Sequence, residues 1–308
     1  TVLILNSTFG NTMSNELIAG YTMIRDKRKG ISGDAPEVLI KELNGTFSFY
    51  AGPDRFSSAN RLDQDIFELT DNFNIFAGDH TFTIGTHNEF FKFSNLFARS
   101  AFGYYEYNSL ADFIADKVSF YQRVYSRKGD PRDPKAIPAA EFSVLQFGFY
   151  VQDEWTVSPR LKLNYGLRID IPVFPDTPDE NPLVPQYFPD YKTNRVPSGN
   201  LLWSPRIGFN WDASGDRTTQ VRGGLGVFTG RIPYVWMSNN FGNAGTFTAE
   251  VRNQGTGLQF RADPYNQYIA GDPGTGSARL QSEIDLVDPD LKLPQLLRFN
   301  VGVDQQLP

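Results

Sequence analysis

The residues best suited to chemistry are few. The chain has two histidines, His80 and His87, and no cysteine. Lying seven positions apart on one segment of alternating pattern, the histidines face opposite sides of a strand, so they cannot share a metal without a bulge. Without cysteine there are no disulfides, no thiolate nucleophile and no Cys-based zinc site. A Ser–His–acid site at a membrane surface is one open alternative, but no G-x-S-x-G nucleophile motif accompanies the histidines. The glycines Gly223, Gly224, Gly226 and Gly230 are wrongly spaced for a dinucleotide loop, and no helical pattern follows them. The acids Asp130, Asp133, Asp288 and Asp290 could offer oxygen ligands to calcium. No twelve-residue calcium loop surrounds them, so they read as solvated turn residues. No catalytic, cofactor or metal residue is assigned, and the chain is not expected to be an enzyme.

A second set of polar residues comes with a clear period. From Leu161 onward Leu161, Leu163, Tyr165, Leu167 and Ile169 alternate with Lys162, Asn164, Gly166, Arg168 and Asp170. One face is apolar and the other charged, which suits a strand between two different media. In a membrane barrel those media are lipid outside and water inside. The residues expected to face the lumen are Lys162, Asn164, Arg168, Asp170, Arg206, Asn210, Gln220 and Arg222. They could contact water, solute or protein inside the barrel, and equally any hydrated wall needs such a lining. Trp155 and Trp211 each lie a few residues from a short turn, as expected of membrane-interface aromatics. Asp153 shares a face with Phe149 and Val151 and breaks the alternation. Either a position near the interface or a bulge would accommodate it. Arg231, Tyr234 and Trp236 enter the longest connection and are candidate external ligand contacts, with packing against neighbouring loops the alternative.

The elements that would hold these residues are strands. Nine are expected, at about 1–9, 15–26, 64–77, 80–95, 142–157, 160–171, 203–212, 218–230 and 297–307. Short turns fall at Gly10–Ser14, Gly78-Asp79, Ser158-Pro159 and Ala213–Arg217, and long connections at about 27–63, 96–141, 172–202 and 231–296. This alternation puts every short turn at one end and every long loop at the other, the asymmetry of outer-membrane barrels. Within 96–141, Ser109 followed by a helical spacing predicts a short helix. A further strand near Phe247–Val251 would make the count even, as in bacterial single-chain barrels. The alternative is that the nine strands are a section of a larger barrel.

Composition agrees with a barrel. The chain has 308 residues, 26 Phe, 14 Tyr, 27 Gly and 20 Pro, and a net charge of −6. There is no basic stripe for nucleic acid. The mean hydropathy is −0.38, and no apolar run approaches the about 20 residues of a membrane helix. Alternation hides a lipid-facing surface from such averages. No signal-peptide pattern opens the chain.

Ser204-Pro-Arg-Ile-Gly-Phe209 and Val221-Arg-Gly-Gly-Leu-Gly-Val-Phe-Thr-Gly-Arg-Ile-Pro-Tyr-Val-Trp236 resemble the barrel of TonB-dependent outer-membrane transporters, most closely the Oar-like branch. Tyr150-Val-Gln-Asp-Glu-Trp155 with Leu163-Asn-Tyr-Gly-Leu-Arg-Ile-Asp170 is similar to a strand pair of that superfamily, and Leu296–Gln306 to a further strand of the branch. The resemblance covers about 140–236 well and the loops hardly at all. It implies a barrel of about 22 strands filled by an N-terminal plug and energised through a TonB box. Neither plug nor TonB box is recognisable in the sequence. The expected fold is therefore part of a transmembrane antiparallel up-and-down β-barrel, about nine strands of a larger one, in the bacterial outer membrane. The implied partners are outer-membrane lipid, a solute captured by external loops, and the TonB complex through a region outside this chain. A passive porin or adhesion barrel, a barrel-embedded hydrolase and a soluble all-β binding module are the alternatives.

Overall fold

Short turns with the right residues set the hairpins. Gly78 takes φ +62° at the start of a two-residue turn, a conformation that glycine adopts without a Cβ penalty. At the 213–218 turn, Asp212 accepts from the backbone of Gly215 and Arg217, and Asp216 accepts from Ser214 and Thr218. Those bonds from Ser214 and Thr218 hold the Asp216 carboxyl down at about 2.

The computed structural model describes residues 1–31, 33–41, 47–230, 233–254, 257–276, 279–280, 283–288 and 290–307. In chain order the first strands are β1 (Val2–Phe9), β2 (Met13–Lys27), β3 (Glu37–Lys41), β4 (Ser48–Ala51), β5 (Asn60–Ala77), β6 (His80–Phe97), β7 (Tyr104–Tyr107) and β8 (Phe120–Ser126). They are followed by β9 (Ala140–Ser158), β10 (Leu161–Val173), β11 (Leu202–Asp212), β12 (Thr219–Thr229), β13 (Thr248–Gln254), β14 (Arg279–Leu280) and β15 (Gln295–Gln305). Short helices α1 (Leu110–Ile114), α2 (Val184–Tyr187) and α3 (Tyr234–Gly242) lie in the long connections.

Among the described residues the wall is a nine-stranded sheet, β1-β2-β5-β6-β9-β10-β11-β12-β15, with every neighbouring pair antiparallel. It does not close, as a part of a barrel would not. The nine expected strands are these nine. The turn before β10 falls one residue later than expected, at Pro159–Arg160, with a register shift between Leu161 and Lys162.

The long connections hold more order than their loop-like composition implies. They form a second, six-stranded sheet, β14-β13-β8-β7-β3-β4, with β3 and β7 parallel. The strand anticipated near Phe247–Val251 exists as β13, but it pairs with β8 in this second sheet and adds nothing to the wall. The core of this sheet contains Tyr105, Tyr107, Tyr121, Val251 and Leu258. The helix expected after Ser109 is α1, and the Ser109 hydroxyl accepts from the Asp112 amide at 3.1 Å, a side-chain N-cap.

Candidate functional site

Register assigns each wall residue to a face. Lys162 lies opposite Asn210, Asn210 opposite Arg222, Asp212 opposite Gln220, and Gly166 opposite Arg206. All eight residues of the expected polar set, Asn164, Arg168 and Asp170 among them, therefore share one face. The other face presents Leu5, Ile84, Phe149, Leu167, Ile207, Leu225 and Phe299, all exposed; Ile207 is 54% and Phe299 80% accessible. So large an apolar surface marks contact with another apolar medium.

The polar face is ordered in rows across the strands. One row runs Asn6, Glu16, Asn72, Gly85, Tyr150, Arg168 and Ser204. Tyr150 leans over Gly85, where a Cβ would come within 2.5 Å of the ring, and its hydroxyl donates to Asn72 Oδ1 at 2.5 Å. Asn72 Nδ2 in turn donates to Glu16 Oε2 at 3.2 Å. Arg168 crosses Gly148 and donates to the buried Asp170 at 2.7–3.0 Å. The neighbouring row, Thr8, Ser14, Asn74, Thr83, Gln152, Gly166, Arg206, Gly226 and Arg298, is polar or glycine in all nine strands. Lys162 pairs with Glu154 at 2.7 Å and Arg222 with Asp304 at 3.1 Å. Tyr150, Asn72, Gln152 and Arg298 belong to this surface but were absent from the sequence-derived set. Their alternation with Val151, Asp153, Phe299 and Val301 was the available signal.

Towards the long connections the same face turns apolar. Phe91, Phe93, Phe142, Val144 and Leu202 form a core with Met237 and Phe241 of α3. Tyr234 joins it, with its ring 5.0 Å from Phe91 and its hydroxyl donating to Gln146 at 3.1 Å. Tyr234 thus packs against the wall instead of standing outward as an external contact. Trp236 on the same helix is exposed, and Arg231 lies outside the described residues. The loop acids act as turn caps: Asp130, Asp133 and Asp288 each accept from the amide two residues on. No cluster of metal-ligating side chains occurs among the described residues.

On the apolar face Trp155 and Trp211 lie near the short turns, and Trp203 sits eight residues from Trp211, near the long connections. For strands rising about 3.3 Å per residue with a tilt of about 40°, Trp203 and Trp211 are separated by roughly 20 Å along the normal, close to the height of a lipid-facing band. Asp153 is on this face in unbroken register, so no bulge accounts for it. It is only 4% accessible, because His80 and Tyr165 bond it at 2.8 and 2.6 Å. Trp155 stacks on His80 at 5.3 Å. His87, on the opposite face, contacts Thr70 at 2.6 Å.

The second sheet is tied by charge. Arg123 is fully buried and donates to the carbonyls of Ala101, Gln267 and Arg132 at 3.1, 3.1 and 2.9 Å. Burial holds its guanidinium below the ordinary arginine range. Burial also pushes the Glu37 carboxyl up.

A nine-stranded antiparallel wall with one polar and one lipid-compatible face, and uneven ends, defines an outer-membrane barrel wall. A family model described as an outer membrane beta barrel domain matches residues 2–308. The chain belongs to that family, and its place is the bacterial outer membrane. Its fold is similar to the crystal structure of the outer membrane transporter YddB from Escherichia coli, with a TM-score of 0.54 and 14% identity over 100% of this chain and 31% of that one. The chain thus spans about a third of that transporter's length. Comparison with curated proteins gives no match.

Proposed function

We propose that this chain is barrel wall of a TonB-dependent outer-membrane receptor, whose external connections capture a solute that the energised protein then imports. The observation that carries this reading is the second sheet: three of the four long connections supply its strands, all from one end of the wall. A barrel that only leaks solutes has no need of an ordered surface there. Ordered loops on a rigid scaffold are where binding residues concentrate. The motifs around Tyr150–Asp170 and Ser204–Trp236 favour TonB coupling, and the likeness of the fold to an outer-membrane transporter is in keeping with transport.

The test is capture of the purified periplasmic domain of TonB by the full-length gene product in detergent. Specific, saturable capture is expected. No capture, together with steady ion conductance in planar bilayers, would replace this reading with a passive porin.

A further inference from the structure

On the polar face each cation but two has an acidic partner: Lys162 has Glu154, Arg168 has Asp170 and Arg222 has Asp304. The exceptions are Arg206 and Arg298, for which no ion pair occurs among the described residues. They are neighbours in the register, since Arg206 lies opposite Gly226 and Gly226 opposite Arg298. Their Cα atoms are therefore about 9–10 Å apart on adjacent-but-one strands, with the Phe228 ring leaning over Gly226 between them and the Arg206 guanidinium 5.8 Å from that ring's centroid. The next row repeats the pattern with amides, as Asn164, Gly208, Gly224 and Asn300 follow one another across four strands. The result is a slot with glycine backbone in its floor, bordered by Arg206, Arg298 and Phe228 on one side and by Asn164 and Asn300 in the next row. A cavity of ≈ 400 Å³ occupies it, and no acidic residue lines it. Glycine is needed at the floor: a Cβ on Gly226 would come within 3.0 Å of the Phe228 ring and 3.1 Å of Arg206 Cβ.

We infer that this slot is a carboxylate-binding clamp. Two arginines without an acidic partner among the described residues, in a chain of net charge −6, leave a local positive field that an oxyanion neutralises. The planar fork of each guanidinium matches a carboxylate with paired N–H donors. The asparagine amides would hold a neighbouring hydroxyl or carbonyl. The carboxylate comes either from an acidic solute or from an Asp or Glu of a protein segment inside the barrel. The first source rests on the transport reading above; the second does not.

The experiment uses the full-length gene product in detergent, with citrate as the probe, read by calorimetry and by a cryo-electron microscopy map at saturating citrate. For a solute site, citrate binds the wild type. Its affinity falls roughly ten- to hundredfold for each of Arg206→Gln and Arg298→Gln, the usual effect of losing a charge-assisted bond. Gly226→Val lowers it too with both charges kept. For a protein source, citrate does not bind, and the map shows an acidic side chain between the two guanidiniums. Undiminished citrate binding by the double Gln variant overturns the clamp, as does a slot holding only water. Retained heat-modifiable migration on gels shows that the variants still fold. Failure of TonB capture would sink the transport reading while leaving this binding measurement intact.

Discussion

Replacing Arg123 with Met tests whether the second sheet is held by one buried cation. Arg123 bonds three carbonyls from three separate segments. Met matches the aliphatic stem but donates nothing. The Gln267 carbonyl keeps a donor, because Arg132 Nη1 also reaches it at 2.9 Å. The carbonyls of Ala101 and Arg132 lose theirs. Each orphaned buried acceptor costs about 1–3 kcal/mol. Relief from burying a charge returns part of that. A net loss of about 2–4 kcal/mol follows, confined to the second sheet, since none of the broken bonds touches the nine-stranded wall. Limited trypsin digestion of the protein in outer-membrane vesicles is the assay. Cleavage within 257–276 should accelerate by roughly thirty- to several hundredfold if it tracks the open population, while gel migration of the folded barrel stays unchanged. Arg123→Lys, keeping charge with a single donor centre, should fall between. Wild-type cleavage rates for Arg123→Met would refute the assignment of Arg123 as the tie. A collapse of the wall itself would refute the separation of the two sheets.

Three further outcomes are expected. Ile207→Arg, on the apolar face between Tyr165 and Leu225, should cost about 2–4 kcal/mol of folding into lipid vesicles, whereas Asn164→Arg on the polar face should cost little; the reverse order would invert the assignment of the faces. Gly85→Ala should displace Tyr150 from Asn72 and destabilise the wall by about 1–3 kcal/mol, with Gly85→Ala/Tyr150→Ser recovering part of the loss; unchanged thermal unfolding of the single variant would show that the ring yields freely. Asp272 is partly buried, which alone raises its carboxyl, but bonds from Arg132 and the Ile269 amide bring it below the usual carboxylate range. Its native value is depressed, so its contribution is present above the unfolded pKa of about 3.9 and is lost as pH falls through the lower native value. Trypsin-independent hydrogen exchange of 257–276 should thus stay flat from neutral pH to about 5 after correction for intrinsic rates and rise below about 4; a change centred near neutrality would point to another group.

Much of the wall was legible in sequence because its signals are local. Alternation of Leu161, Leu163 and Tyr165 with Lys162, Asn164 and Arg168 declares a strand and its two faces at once. Gly78-Asp79 and Ala213–Arg217 declare tight turns through backbone preferences of single residues. The second sheet was not legible. Its strands are short, β7 holds only Tyr104–Tyr107 and β4 only Ser48–Ala51, and they lie among Pro, Gly and Asp that signal loops. The parallel pairing of β3 with β7 joins segments with no sequence-adjacent clue. Tyr234 looked like an external aromatic because it follows Pro233 out of a strand, yet α3 folds back and buries its ring against Phe91 and Phe93.

The sequence by itself determined the period, the turns, the polar and apolar faces and the uneven ends, since these depend on neighbours a few residues apart. Tertiary structure alone decided which residues stand side by side across strands. Tyr150 meets Asn72 over Gly85, His80 and Tyr165 cover Asp153, and Arg206 faces Arg298 across Gly226. Each of these depends on the register between strands distant in the chain, and a shift of a single residue would send every side chain of a strand to the opposite face.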